Sequence, residues 1–114
     1  MDNSEKRRHP RAPVNRPGRL RVGNGPESNT QVMDVSPFGA TLFYSSAIEI
    51  GTAVELTFHL NVGRKAECQI YGNVRHHYLQ GESHVIGVQF THFGSDTPDT
   101  IREYILSREP KVAT

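Results

Sequence analysis

The sequence predicts an all-β domain: six antiparallel strands closed into a small barrel, with one α-helix at the C-terminal end. Three observations predict it. Between residues 18 and 93, apolar and polar residues alternate in short runs, the period of a half-buried strand. Turn-forming residues punctuate those runs, among them Asn24, Gly25, Pro26, Ser36, Pro37, Gly39, Gly51, Gly63 and Gly81. Beyond them the pattern becomes helical, opened by Thr97, Pro98 and Asp99 and stopped by Pro110.

Each element has its own justification. Residues 1–12 lack periodicity and have almost no apolar content, so they read as a flexible basic arm. Pro10, Pro13 and Pro17 keep the following stretch out of helix. Residues 18–22 alternate, with Leu20 and Val22 on one face, and a turn follows at 23–26. A second strand covers residues 30–35, and Ser36 to Gly39 turns the chain into a third at 40–44. Residues 53–62 are the clearest strand, with Val54, Leu56, Phe58 and Leu60 on one face and Glu55, Thr57 and His59 opposite. Gly63, Arg64 and Lys65 close a hairpin to a fifth strand that carries Ala66, Cys68, Ile70, Gly72 and Val74 on its apolar face. A turn at 80–83 leads to the last strand, 85–93, with Ile86, Val88 and Phe90 together. In the helix, Thr97 is the expected N-cap, Pro98 the first helical residue and Asp99 the acid at the positive dipole end. Ile101, Tyr104, Ile105 and Arg108 share the face that packs on the barrel. The expected organisation is an arm at 1–12, a barrel plus helix at 13–108 and a tail at 109–114.

The 114 residues suffice for one core. Hydrophobic content is 35% and mean hydropathy −0.55, and no run approaches the ~20 apolar residues of a membrane span, so a membrane-embedded chain is not expected. The N-terminus has no apolar core of a secretory signal, and the single cysteine, Cys68, forms no internal disulfide; a cytoplasmic protein is the expectation. Net charge is only +1, yet unevenly placed. Residues 1–21 hold seven Lys/Arg against Asp2 and Glu5, a balance of +5, and residues 22–114 hold six Lys/Arg against ten acids, a balance of −4. A basic arm on an acidic body points to a local anion site rather than a nucleic-acid-coating surface.

The residues argue against catalysis. The six histidines are scattered, and no Cys/His spacing matches a zinc site, so no metal is expected. Ser36 and Ser45 lack a nucleophile elbow, and no Gly-rich loop precedes a helix, so neither a hydrolase nor a phosphate loop is indicated and no catalytic residue is assigned. Binding chemistry is better represented. Arg7 and Arg11 offer planar, permanently charged forks that suit phosphate oxygens and stack on flat rings. Asp34 and Ser36 place hydrogen-bonding groups at the end of a strand, and Gly39 lacks the Cβ that would keep a ligand off the backbone. These features suit an anionic nucleotide.

At Arg7 and Arg11 (RxxxR) and at Asp34, Ser36 and Gly39 (DxSxxG) the chain resembles the PilZ domain family of bacterial receptors for cyclic di-GMP. Residues 86–90, with Gly87, also resemble that family's late Gly-containing strand, and the resemblance runs over about residues 5–106. It implies a six-stranded barrel with a C-terminal helix, a stand-alone domain, cyclic di-GMP as ligand and no other cofactor. It further implies that Arg7 and Arg11 contact phosphodiesters and stack on guanine, that Asp34 accepts from a guanine edge, that Ser36 adds a hydroxyl contact and that Gly39 permits close approach. Arg8 neighbours the first motif, and Arg75 sits on a late strand of the same barrel face; both join the candidate ligand contacts. The expected function is a non-enzymatic receptor whose arm orders on ligand and signals to an unidentified protein partner, with no DNA or RNA bound. The alternatives are a ligand-independent protein-interaction module and a small nucleic-acid-binding barrel.

Overall fold

The computed structural model describes residues 11–94 and 96–108. Six strands, β1 (Ala12–Val22), β2 (Glu27–Val35), β3 (Gly39–Tyr44), β4 (Ala53–Asn61), β5 (Lys65–Gln80) and β6 (Ser83–Phe93), precede one helix, α1 (Thr97–Arg108). They close into an antiparallel barrel in the order β1-β2-β3-β6-β5-β4. The six strands and the closing helix are those the alternation predicts.

Leu20, Val32, Leu42, Leu56, Phe58, Leu60, Ile70 and Ile86 are fully buried inside the barrel. Every one lies on the inward row of its strand, so closure removes all of them from water at once. A barrel of six strands has no room for more than its own side chains, which leaves the outer face for a ligand. Helix α1 covers one end with Ile101, Tyr104 and Ile105. Tyr104 Oη donates to Pro13 O at 3.0 Å and ties the helix to β1. Arg108 lies over the Tyr104 ring, 4.6 Å from its centroid.

Element ends differ from the expectation in ways with a cause. β1 begins at Ala12, not 18. Ahead of Gly18 it pairs only with β2, so Pro13 and Pro17 sit where a missing N–H breaks no second ladder. The register shifts between Pro13 and Arg16, around Asn15 at φ 50°. β2 and β6 each start earlier than expected, at Glu27 and Ser83, because β1 and β5 pair with them up to the turns. β3 starts at Gly39 and β4 stops at Asn61, one residue off in each case. The helix N-cap also moves. Thr100 N donates to Asp96 O at 3.0 Å, which puts Asp96 in the capping position and Pro98 one place further in. Thr97 is buried instead, and its hydroxyl accepts from the Gln69 backbone N–H at 3.1 Å.

Candidate ligand-binding site

The site is built on the outer face of three adjacent strands, β3, β6 and β5. Cross-strand pairing lays their outward residues in rows. Gly39 pairs with Gln89; Thr41 pairs with Gly87, which pairs with His76; Val85 pairs with Tyr78. A cleft of about 410 Å³ runs over these rows, within the ~300–1,000 Å³ usual for small-molecule sites. Val85 is its buried floor, and Tyr78 stands beside it, 56% exposed. The His76 ring lies over Gly87: a Cβ there would meet His76 Cδ2 at 3.1 Å. Phe38, in the turn before β3, forms one wall.

Cations enter from two directions. Arg11 reaches the cleft from the residue just before β1. Arg75 reaches it from β5, at a register shift between Val74 and His76. That bulge lets Arg75 and His76, although neighbours in sequence, both line the cleft. Arg11 Nη1 donates to Asp34 Oδ1 at 2.7 Å, with the two side chains 49% and 30% exposed. Residues 23 positions apart are thus in direct ionic contact.

The turn from Ser36 to Gly39 is held by its own groups. Ser36 N donates to Gly39 O at 2.8 Å, and Ser36 Oγ accepts from the backbone N–H of Phe38 and of Gly39, each at 3.2 Å. Ser36 is 4% exposed. Its hydroxyl therefore acts first as the lock of the turn, a role residue type alone also allows. Gly39 has a structural reason too. A Cβ at that position would lie 2.6 Å from Val88 O, inside the backbone of β6. The bare backbone lets β3 and β6 pair; Phe90 N then donates to Phe38 O at 2.8 Å and anchors the turn across the strand.

The structure brings Arg11, Ser36, Gly39 and Arg75 to one cleft and hangs Asp34 on its rim through Arg11. Arg7 and Arg8 lie outside the described residues. Phe38, Thr41, His76, Tyr78, Val85 and Gln89 also line the cleft, and the sequence reading did not single them out. Period 2 marks Thr41 and Gln89 as outward members of β3 and β6, whereas continuing the inward row of β5 past Val74 would have put His76 and Tyr78 inside, and only the register shift between Val74 and His76 turns them to the cleft.

Cys68 lies away from this site, buried inside the barrel. Burial first, and the neighbouring Glu67 charge second, push its thiol up to about 12. Among the described residues, no three metal-ligating side chains come together, and no helix is long and apolar enough to cross a membrane.

Residues 5–107 match the PilZ domain family. The chain belongs to the PilZ family. Two solved structures share the fold. The Bacillus subtilis inhibitor of motility MotI/DgrA superposes with a TM-score of 0.78 at 13% identity, over 90% of this chain and 50% of that one. The PilZ domain of Escherichia coli YcgR, solved with c-di-GMP, superposes with a TM-score of 0.64 at 11% identity, over 90% of each chain. This chain thus spans half the length of the MotI/DgrA chain. At such identities the likeness concerns the fold alone. No curated protein matches by sequence. The PilZ fold, a closed six-stranded barrel with its C-terminal helix, is the one the alternation of residues predicted.

Proposed function

We propose that this PilZ domain is a receptor for cyclic di-GMP and that the ligand lies in the cleft over β3, β6 and β5. The observation that carries the reading is the meeting of Arg11 with Asp34, Ser36 and Gly39 around one cleft. The YcgR PilZ domain, solved with c-di-GMP, supports the choice of ligand. Arg11, with Arg7 and Arg8 from the preceding segment, supplies forks for phosphodiesters and flat cations for guanine faces. Arg75 adds a second charge to the cleft, from β5. Asp34 accepts from a guanine edge once Arg11 turns from it to the ligand. Ser36 and Gly39 act by holding the turn and the strand pairing in place. The protein works as a bacterial, cytoplasmic receptor rather than as a catalyst.

In this reading residues 1–12 form the responsive arm, residues 13–108 the receptor body and residues 109–114 a tail. The arm orders when ligand supplies its anchor, and the ordered arm offers a new surface to a protein partner. Ordering opposes binding by about 1–2 kcal/mol for each backbone residue fixed, so several strong arginine contacts are required. Isothermal titration with cyclic di-GMP, GMP and single-stranded RNA tests the ligand. Binding of cyclic di-GMP alone is expected; no heat at tens of micromolar ligand, with the fold confirmed by circular dichroism, would remove the proposal. Amide relaxation of residues 5–12 with and without ligand tests the arm, which should be mobile free and rigid when bound over the part ahead of Ala12, the first residue of β1.

A further inference from the structure

The barrel is closed, yet one strand runs past its neighbour. β5 pairs with β4 from Lys65 to Asn73. One further step continues on that side: Val74 N donates to Thr52 O at 2.9 Å and Gly51 N donates to Val74 O at 2.7 Å. Beyond Val74, β5 continues for six more residues to Gln80 with β6 on one side only, among the described residues. Gln80 and Ser83 close a two-residue turn over Gly81, at φ 63°, and Glu82. In such a turn the closing pair exchanges its backbone bonds. Gln80, Tyr78 and His76 therefore direct N–H and C=O to β6, and Leu79 and His77 direct theirs outward. Among the described residues the result is a free edge at Arg75 to Gln80.

Natural edges of this kind are blunted by lysine, proline or inward charge. This one has no proline and no lysine, and its only full charge, Arg75, is at one end. Large apolar side chains flank it on both faces: Tyr78, 56% exposed on the outer face, and Leu79, 61% exposed on the inner. We infer that this edge pairs antiparallel with the same edge of a second copy of the chain, joining two barrels through β5. The edge is self-complementary about Tyr78. In that register His77 and Leu79 of one copy exchange both backbone bonds with Leu79 and His77 of the second copy. The two Tyr78 rings then meet on the two-fold axis. Arg75 of each copy comes beside Gly81 and Glu82 of the second copy, and neither Arg75 nor Glu82 is in an ion pair with a described residue. A net charge of +1 per chain adds little repulsion. The contact is narrow, so the dimer is weak and concentration-dependent. Because Arg75, His76 and Tyr78 also line the cleft, the two clefts would lie edge to edge.

Sedimentation of the full chain without ligand, up to about 1 mM, reads the association. The mass should rise from 12.8 kDa toward twice that value. Leu79→Lys, outside the cleft and exposed, should weaken dimerisation about tenfold or more while circular dichroism stays unchanged. Tyr78→Cys reads the register: directly opposed residues at a non-hydrogen-bonded antiparallel pair have Cα atoms about 4.5 Å apart, within the reach of a disulfide. Under oxidised glutathione it should cross-link, and Glu82→Cys should not. A mass that stays monomeric at every concentration, or a Leu79→Lys dimer as strong as the parent, overturns the inference. Protection of the His77 and Leu79 amides only on addition of a foreign peptide overturns it equally.

Discussion

Gly39→Ala is the most direct test of what the turn glycine does. The new Cβ would lie 2.6 Å from Val88 O, and that oxygen belongs to the backbone of β6. A carbonyl in a ladder has no rotamer to relieve the contact, so β3 must move off β6 by several tenths of an ångström. The Phe38–Phe90 and Ser36–Gly39 backbone bonds at 2.8 Å lie beside the clash and lengthen with it. Overpacking of this kind costs about 1–3 kcal/mol. Removal of a glycine from the unfolded chain offsets about 0.4–1 kcal/mol. The expected net loss is about 1–2 kcal/mol, a fall in Tm of about 5–10 °C. Urea and thermal unfolding of the ligand-free protein read it. Gly87→Ala is the comparison: the three atoms nearest its Cβ all belong to the His76 side chain, Cδ2 at 3.1 Å and Cβ at 3.2 Å, so a swing of the ring relieves part of the contact and no backbone oxygen stands in the way at 2.6 Å. It should cost clearly less stability than Gly39→Ala. If Gly39→Ala is as stable as the parent, within about 0.5 kcal/mol, the backbone clash is not the reason for glycine here. A role confined to ligand approach would then be the better account.

Two further outcomes follow from the geometry. Asp34→Ala removes an ion pair whose partners are 49% and 30% exposed, so stability should change by only about 0.2–1 kcal/mol; affinity for cyclic di-GMP should fall about ten- to a hundredfold, read by titration calorimetry. Cys68 has its folded thiol pushed up from 9.0 to about 12, so its contribution to stability is complete below pH 9 and is lost as pH rises through about 12. Alkylation of the native protein near neutral pH should wait on unfolding, and mass spectrometry should find Cys68 unmodified until denaturant is added.

The inner face of the barrel was legible because burial imposes period 2. Val54, Leu56, Phe58 and Leu60 are all inside, as their alternation with Glu55, Thr57 and His59 requires. The strand ends were less legible. Pro13 and Pro17 read as residues that keep the chain out of helix, and only the one-sided pairing of early β1 shows why a strand tolerates them. The motif residues were legible as chemistry and not as geometry. Nothing in the order of residues says that Arg11 and Asp34 touch, that Ser36 turns its hydroxyl on its own turn, or that Gly39 answers to Val88. Those facts depend on which strands become neighbours when the barrel closes.

The register shift between Val74 and His76 has the widest consequence of these unread features. It carries no glycine or proline, so no local signal marks it. Before it, β5 is a barrel strand, with β4 on one side and β6 on the other. After it, the strand follows β6 alone among the described residues, and the backbone groups of alternate residues turn outward. The same step places Arg75 and His76 together at the cleft and puts Tyr78 over Val85. One extra residue in one strand thus shapes the outer face where a nucleotide would sit and also sets which residues present their backbone groups along the edge left where β4 begins at Ala53. Any substitution that removes the bulge should therefore alter both surfaces together, because a one-residue slip exchanges the two faces of every residue beyond it.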